Sequence, residues 1–435
     1  MKKLIDYILD SGRRLISPVG GGSIKRFSDY KNLTAITKEQ KLAHWMAFQT
    51  REYGHDFLSS TLPVIDFCKS IGIKTVVTAD GKETVIENQI AKSSDLIQTL
   101  SGNPLNSPDL EPYIECIGKF KNLSDKPIGG ACFGPFTLAG AILGMERLCC
   151  DCILDPDFLI EILSFITNIL IEFAHECEDR GADFFWIAEP TAVLVSPKHF
   201  EKFSGEFIKK INDSISLAAF LHVPGDTNHL IEKFIKTGAQ CLSLDSCINM
   251  REMAHFIPGN VVILGNVNSI AMLQDSPQEI DKKVTLLNRE IRNFPNFIIS
   301  SGGALSANTP EENIRTMFSS TKKAPVWQKS QYNQIDSLWR TMANKNFREI
   351  SGKLSQTNYS GEVIAGSVEE ALYYLFGLVK KGKRSQSECY KQTADIIKVL
   401  NTGIVTPSLQ ININENKYRI EQLINNAGKI FQECC

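Results

Sequence analysis

Between Asp183 and Pro310 the chain lays down four short apolar runs, DFFWIAEP, AFLHVPGD, VVILGNV and FIISSGGA, each followed by a helical pattern. Runs of about four to eight apolar residues that stop at polar or small ones and alternate with amphipathic helices are how parallel strands buried on both faces read. A further run, CLSLDS, falls between the second and the third. Upstream, PIGGACFGPFTLAG passes from a strand into a helix, with Gly129, Gly130 and Gly134 where backbones can approach closely. Helix starts repeat one device: Asp155-Pro156, Ser196-Pro197, Ser276-Pro277 and Thr309-Pro310 each set a capping residue before a proline. After Pro156, Leu159, Leu163, Ile166, Leu170 and Phe173 recur at three- and four-residue steps, which predicts a buried crossover helix through about Glu178. The succession over 127–321 is that of an α/β barrel or a doubly wound sheet. Sites in such folds lie at the carboxyl ends of the strands, where this chain offers Glu189, His222, Asp226, Asn266 and Ser300, with Asp245 from CLSLDS. Asp226 and Thr227 read as a helix N-cap and Trp186 as core.

The flanks differ. Up to about residue 125 the pattern is mixed, with helices at 2–12 and 38–56 and a hairpin about Asp80-Gly81. The glycines at 20–22 carry no phosphate-binding spacing and read as a loop. Beyond TKKAPVWQKSQYNQ only helices are predicted, at 334–350, 367–381, 384–400 and 413–431, so the chain divides into 1–325 and a helical appendage, 326–435. Its 47 basic and 49 acidic residues leave a net charge of −2, which argues against nucleic acid and anionic membrane as partners and for a small molecule or protein. No run reaches the roughly 18 continuous apolar residues of a membrane span, and MKKLIDYILDSGRRL lacks a signal-peptide core, so the expected location is cytoplasmic. Twelve cysteines then belong to a reducing compartment, and neither Cys149-Cys150-Asp151-Cys152 nor Cys434-Cys435 has a second pair at zinc spacing.

The ordered motifs GPFTLAG, GADFFWIAEPTAVLVSPKHF, LHVPGDTNHLIEKFIKTGAQCLSLD, VVILGNVNS and FIISSGGALSANTPEENI resemble the uroporphyrinogen decarboxylase superfamily. The resemblance is nearest to its cobamide-dependent methyltransferases, such as the coenzyme M methyltransferases. It implies a (β/α)8 TIM barrel whose pocket lies at the strand carboxyl ends, here with a C-terminal helical extension. In that branch a His-X-Cys-Gly motif and a later Gly-Cys supply three zinc ligands, and zinc turns an acceptor thiol into a thiolate. This chain reads His222-Val223-Pro224-Gly225 and Gly302-Gly303, so two of the three ligands are replaced by residues that cannot coordinate metal. The decarboxylase branch's arginine-rich substrate motif has no counterpart in LISPVGGGSIKRFSDY, which disfavours a tetrapyrrole bearing many carboxylates.

The expected reaction moves a methyl group between a small non-thiol substrate and a corrinoid carried by a separate protein, without the usual zinc. His222, Glu189 and Asp245 are the expected catalytic residues, through proton transfer or weak metal ligation, or by orienting His222 or a substrate. Asn266, Gly265, Gly302 and Gly303 are expected to face the corrinoid, and Cys247 is a weak candidate replacement metal ligand, a small buried thiol being the commoner reading. Two alternatives stay open: metal-free decarboxylase or lyase chemistry on a carboxylated substrate, and a non-catalytic barrel that binds a corrinoid or a partner.

Overall fold

Each apolar run becomes a strand. The computed structural model describes residues 4–20, 36–79, 81–91, 95, 103–324, 326–357, 359–401, 422 and 425. In chain order the strands are β1 (Leu15–Ile16), β2 (Leu58–Thr61), β3 (Thr75–Val77), β4 (Glu83–Val85), β5 (Ile128–Phe133), β6 (Phe184–Ala188), β7 (Ala218–His222), β8 (Cys241–Ser243), β9 (Val262–Val267) and β10 (Phe297–Ser301). β3 and β4 pair antiparallel as the hairpin the sequence indicates, although Asp80 of its turn lies outside the described residues. The other eight form one parallel sheet in the order β1-β10-β9-β8-β7-β6-β5-β2. Between β1 and β2 there is no ladder. The seam is closed instead by Asp56, whose backbone N–H donates to the Ile16 carbonyl (3.1 Å) while its side chain accepts the Ile16 N–H (3.0 Å). Ser17 Oγ adds a bond to the Phe57 carbonyl (2.9 Å). The Asp56 carboxylate is fully buried and is neutralised by the Arg13 guanidinium (Nη1 at 2.9 Å) and by Lys126 (3.4 Å). The result is a closed (β/α)8 barrel.

Inward-facing side chains fill its floor. Phe57, Phe184 and Phe220 meet there, with Phe184 stacked on Phe220 at 4.6 Å between centroids and Phe57 edge-on to Phe184 at 6.0 Å. Each such burial contributes about 1.5–3 kcal/mol. A Cβ on Gly129 would fall 2.3 Å from the Phe184 ring, so the glycine of β5 leaves room for that floor. The crossover helix Pro156–Asp179 is capped by Asp155, which accepts from Phe158 N (3.2 Å), and lays Phe173 against Phe185 of β6. By length and composition alone this helix is apolar enough to cross a bilayer, and half of its most apolar window is buried inside the protein. Ser196 and Ser276 cap their helices as the sequence indicates. Thr309 does not: the helix Glu311–Lys322 starts after Pro310 with no side-chain cap.

The barrel belongs to a unit built from Met1–Asn249, Gly259–Asn288 and Asn296–Ala324; a second unit takes Met250–Pro258, Arg289–Pro295 and Pro325–Cys435. In the second unit the helices Lys329–Asn344, Phe347–Gln356, Gly361–Lys380 and Gln386–Asn401 share an apolar core. The single helix expected over 334–350 is broken at Lys345, because Asn346 caps Glu349 N (3.1 Å) and Glu349 reaches back to Asn346 N (3.4 Å), a reciprocal box that starts a new helix. Fully buried Glu370 accepts from Asn293 Nδ2 (2.6 Å) and faces His255 Nε2 (2.9 Å) and Arg251 (3.3 Å), all within this unit. Apart from residues 422 and 425, which are helical, the helix expected at 413–431 lies outside the described residues, as do Cys434-Cys435 and the glycine run beyond Gly20.

Removing the seam carboxylate leaves a buried N–H unpaired and two cations without their partner. Asp56→Ala is therefore expected to lower stability by about 2–4 kcal/mol, read as the urea midpoint, with Asp56→Asn losing less. An unchanged midpoint would show that the seam closes without this charge.

Candidate functional site

The carboxyl ends of β1, β2, β5, β6 and β7, the turn after β10 and the helix Lys38–Glu52 enclose a cavity of about 490 Å³. Its walls are Trp45, Met46, Phe57, Phe133, Phe184 and Trp186, with Gln49, Ser59, Thr61 and His222 among its polar groups. Among the described residues no Asp, Glu, Lys or Arg lines it. Trp186, expected as core, does pack inside the barrel with Phe220 (5.5 Å), and its exposed edge forms cavity wall.

His222 closes β7 and is buried. Its Nδ1 lies 3.2 Å from the Ser243 carbonyl and 3.0 Å from Ser243 Oγ. A carbonyl can only accept, so the ring proton sits on Nδ1 and Nε2 is left with a lone pair. Burial lowers the pKa of His222, although the Ser243 bond and the Asp245 charge oppose this, and the ring is held neutral. Ser243 was not singled out by the sequence. It stands directly across the β7–β8 ladder from His222, so pairing the two apolar runs at their polar ends would have found it.

Glu189 is one residue past β6 and turns away from the cavity. Its carboxylate caps the helix Pro135–Leu143 from across the chain, accepting from Thr137 N (2.6 Å) and Phe136 N (3.2 Å), with Ser204 Oγ at 3.4 Å. A Cβ on Gly134 would fall 2.2 Å from this carboxylate, which explains the glycine there. Burial pushes the Glu189 carboxyl up to about 7 against the hydrogen bonds from Thr137, Phe136 and Ser204. Asp245 is half-buried and clamps two loops: Oδ2 accepts from Gly225 N (2.9 Å), and Oδ1 from Ser246 Oγ (3.1 Å) and Cys247 N (3.2 Å). Burial opposes its charge, but these donors outweigh it and hold the carboxyl below its ordinary range. Neither carboxylate orients His222; Ser243 does.

The residues expected to face a corrinoid are mostly occupied elsewhere. Asn266 Nδ2 donates to the carbonyls of Asp245 (2.8 Å) and Ile248 (2.7 Å), bracing the loop after β8. Gly265 lies within β9 and is not among the lining residues, and a Cβ on Gly302 would fall 2.3 Å from Ser246 N, so Gly302 serves close backbone packing. Gly303 alone of these lines the cavity. Asp226 is not a helix cap: its Oδ1 accepts from Asn228 N (3.3 Å) in a turn, and the helix Ile231–Lys236 begins beyond it. Ser300 Oγ is buried and donates to the Ser17 carbonyl (2.7 Å).

The donor set does not fit zinc. His222, Pro224 and Gly303 stand together on the cavity wall, and the latter two have nothing with which to coordinate. Cys247 is exposed, lies off the cavity, and its thiol pKa is raised by burial and by Asp245. No group of three His, Cys, Asp or Glu side chains converges among the described residues.

A carboxyl raised to about 7 contributes stability that is full below its unfolded value of 4.5 and is lost as pH rises through about 7. The melting temperature should therefore fall between about pH 5 and pH 8, and Glu189→Gln should flatten that fall; an unaltered slope would remove Glu189 as its source. Glu189→Ala, which uncaps a buried helix start, should cost about 2–4 kcal/mol in any buffer.

The family profile described as Uroporphyrinogen decarboxylase (URO-D) matches residues 21–324. Methylcobamide:CoM methyltransferase MtbA of Methanosarcina acetivorans is 26% identical over 243 residues, 54% of this chain and 69% of that protein. The MtbA of Methanosarcina mazei is 26% identical over 212 residues, 46% of this chain and 61% of that protein. Uroporphyrinogen decarboxylase 2, chloroplastic, of Oryza sativa subsp. japonica is 25% identical over 229 residues, 49% of this chain and 58% of that protein. The matched segment thus spans 58–69% of the length of these relatives. A solved methyltransferase from Methanosarcina mazei shares the fold, with a TM-score of 0.64 at 19% identity over 73% of this chain and 97% of that one. With the profile matching residues 21–324, well over half of the sequence, the chain belongs to the uroporphyrinogen decarboxylase (URO-D) family.

Proposed function

We propose that this barrel is a cobamide-dependent methyltransferase-like enzyme that works without the family's zinc, moving a methyl group between a corrinoid and a small substrate held beside His222. The observation that carries the reading is the cavity at the barrel mouth, whose described lining holds no Asp, Glu, Lys or Arg and includes the imidazole of His222, in a chain whose relatives include MtbA methyltransferases. A cavity of about 490 Å³ is too small to enclose a corrinoid with its amide side chains. A corrinoid supplies or takes up the methyl group when a separate carrier protein presents it at the mouth. The chain's own part is to desolvate the small substrate between aromatic walls and to hold its reacting atom at His222 Nε2. Nε2 accepts the proton of a hydroxyl or amine as that atom takes the methyl group, and returns it in the reverse direction. The Nδ1–H bond to the Ser243 carbonyl fixes the tautomer this requires. Decarboxylation is less well supported, since no Lys or Arg among the described lining residues could bind a carboxylated substrate or stabilise the charge it develops.

The test is demethylation of a methylcobamide, followed by its absorbance, with hydroxyl and amine acceptors. Wild type should turn over, and His222→Ala should lose a hundredfold or more, within the roughly 10²–10⁴-fold of a general base. Binding with no turnover by wild type would point to a non-catalytic barrel. Elemental analysis supplies a second check. Among the described residues a Cβ built on Gly303 meets Ser269 Oγ at 3.7 Å and nothing closer, so they leave room there for a side chain. Wild type should carry little zinc, whereas Pro224→Cys combined with Gly303→Cys should bind roughly one equivalent with His222. One zinc per wild-type chain would mean that other residues rebuild the site.

A further inference from the structure

We infer that the cavity selects a neutral aromatic substrate carrying a single hydroxyl, a phenol, oriented by donation of that hydroxyl to His222 Nε2. The inference rests on the methyl-transfer reading above and names the substrate class for that site. It also separates this chain from relatives named for coenzyme M, an anionic thiol, and from decarboxylases of polycarboxylates.

Three features of the cavity converge on it. The walls are aromatic on several sides: Trp45 comes from the helix Lys38–Glu52, Phe57 from the residue before β2, Phe133 from β5, and Phe184 and Trp186 from β6. Flat rings gain from edge and face contacts with such walls beyond the area they bury. Charge is missing from the lining among the described residues, and the nearest carboxylates are already engaged, Glu189 by a helix start and Asp245 by three loop donors. An anion entering here would lose its hydration and gain no counter-ion from these residues. Finally, His222 offers one acceptor. With Nδ1 committed to Ser243, an occupant without a donor leaves Nε2 unpaired, and an occupant with one hydroxyl satisfies it. A volume of about 490 Å³ admits a molecule of one or two rings.

Trp45 and Trp186 line the cavity, so tryptophan fluorescence of the full chain reports its occupancy, and calorimetry checks it independently. The probes at about pH 7 are 4-methylphenol, toluene, benzoate and 2-mercaptoethanesulfonate, a set in which hydroxyl and charge vary separately at similar size. The expected result is that 4-methylphenol binds at least about tenfold more tightly than each of the other three, tenfold being the effect of one hydrogen bond. His222→Ala should erase its advantage over toluene measured in the same variant, and His222→Gln, which keeps an acceptor, should restore part of it. Equal or tighter binding of either anion overturns the proposal, as does a 4-methylphenol advantage that survives in folded His222→Ala. Should His222→Ala fail to fold, the wild-type ranking of the four probes decides. All of this is measured without corrinoid. Phenol binding with no methyl transfer would therefore sink the reaction and spare the cavity assignment, and transfer confined to anionic acceptors would do the reverse.

Discussion

Asp56 places a buried carboxylate, paired with Arg13 and Lys126, between β1 and β2, where the described strands of the barrel share no ladder. β1 is two residues long and cannot hold a barrel shut by backbone pairing alone. The carboxylate substitutes for the missing rungs by taking the Ile16 N–H, while its own N–H reaches the Ile16 carbonyl and Arg13 and Lys126 compensate its charge. Both strands that it joins run directly into the cavity wall, β1 through Ser17 and Pro18 and β2 through Leu58 to Thr61. The ion pair lies on the barrel's far side from His222's strand and joins the two strands that lead into the wall facing it.

Around the mouth, charges are spent on structure. Glu189 holds a helix start against β6, and Asp245 ties the loop after β7 to the loop after β8. Each sits one or two residues past a strand end, where an acidic residue could equally have faced the centre. Their engagement leaves the interior without a fixed charge among the described lining residues, so His222 acts there beside neutral polar groups such as Gln49, Ser59 and Thr61. In a medium of low effective dielectric, a hydrogen bond orients a ligand more strongly than it would at a wet surface.

Much of the barrel was legible in the sequence, because β5 to β10 are covered on both faces and read as uninterrupted apolar runs. β1 and β2 were not, since LI and LSST are too short or too polar to stand out and derive their order from Asp56. The helical second unit was legible in outline, but the break at Lys345 depended on a capping pair that periodicity does not register. For the site, position at a strand end identified His222 correctly as a lining residue and did not distinguish it from Glu189 or Asp245. Strand residues alternate in direction, and beyond the last rung the chain turns, so a carboxylate one residue further on faces helices instead of the cavity. The aromatic wall was hidden for another reason: it is assembled from helix Lys38–Glu52 and three strands, and no local pattern links Trp45 to Trp186.

The sharing of chain between the two units has a consequence for how the protein can be taken apart. The backbone passes from one unit to the other at 249/250, 258/259, 288/289, 295/296 and 324/325, so the second unit is not a tail that one cut can remove. Severing the chain near residue 325 would carry off Glu370 and abandon Arg251, His255 and Asn293, three polar side chains whose shared acceptor comes from the excised part. A chain cut at that single boundary would therefore keep two short pieces of the second unit, 250–258 and 289–295, stripped of the helices that complete it.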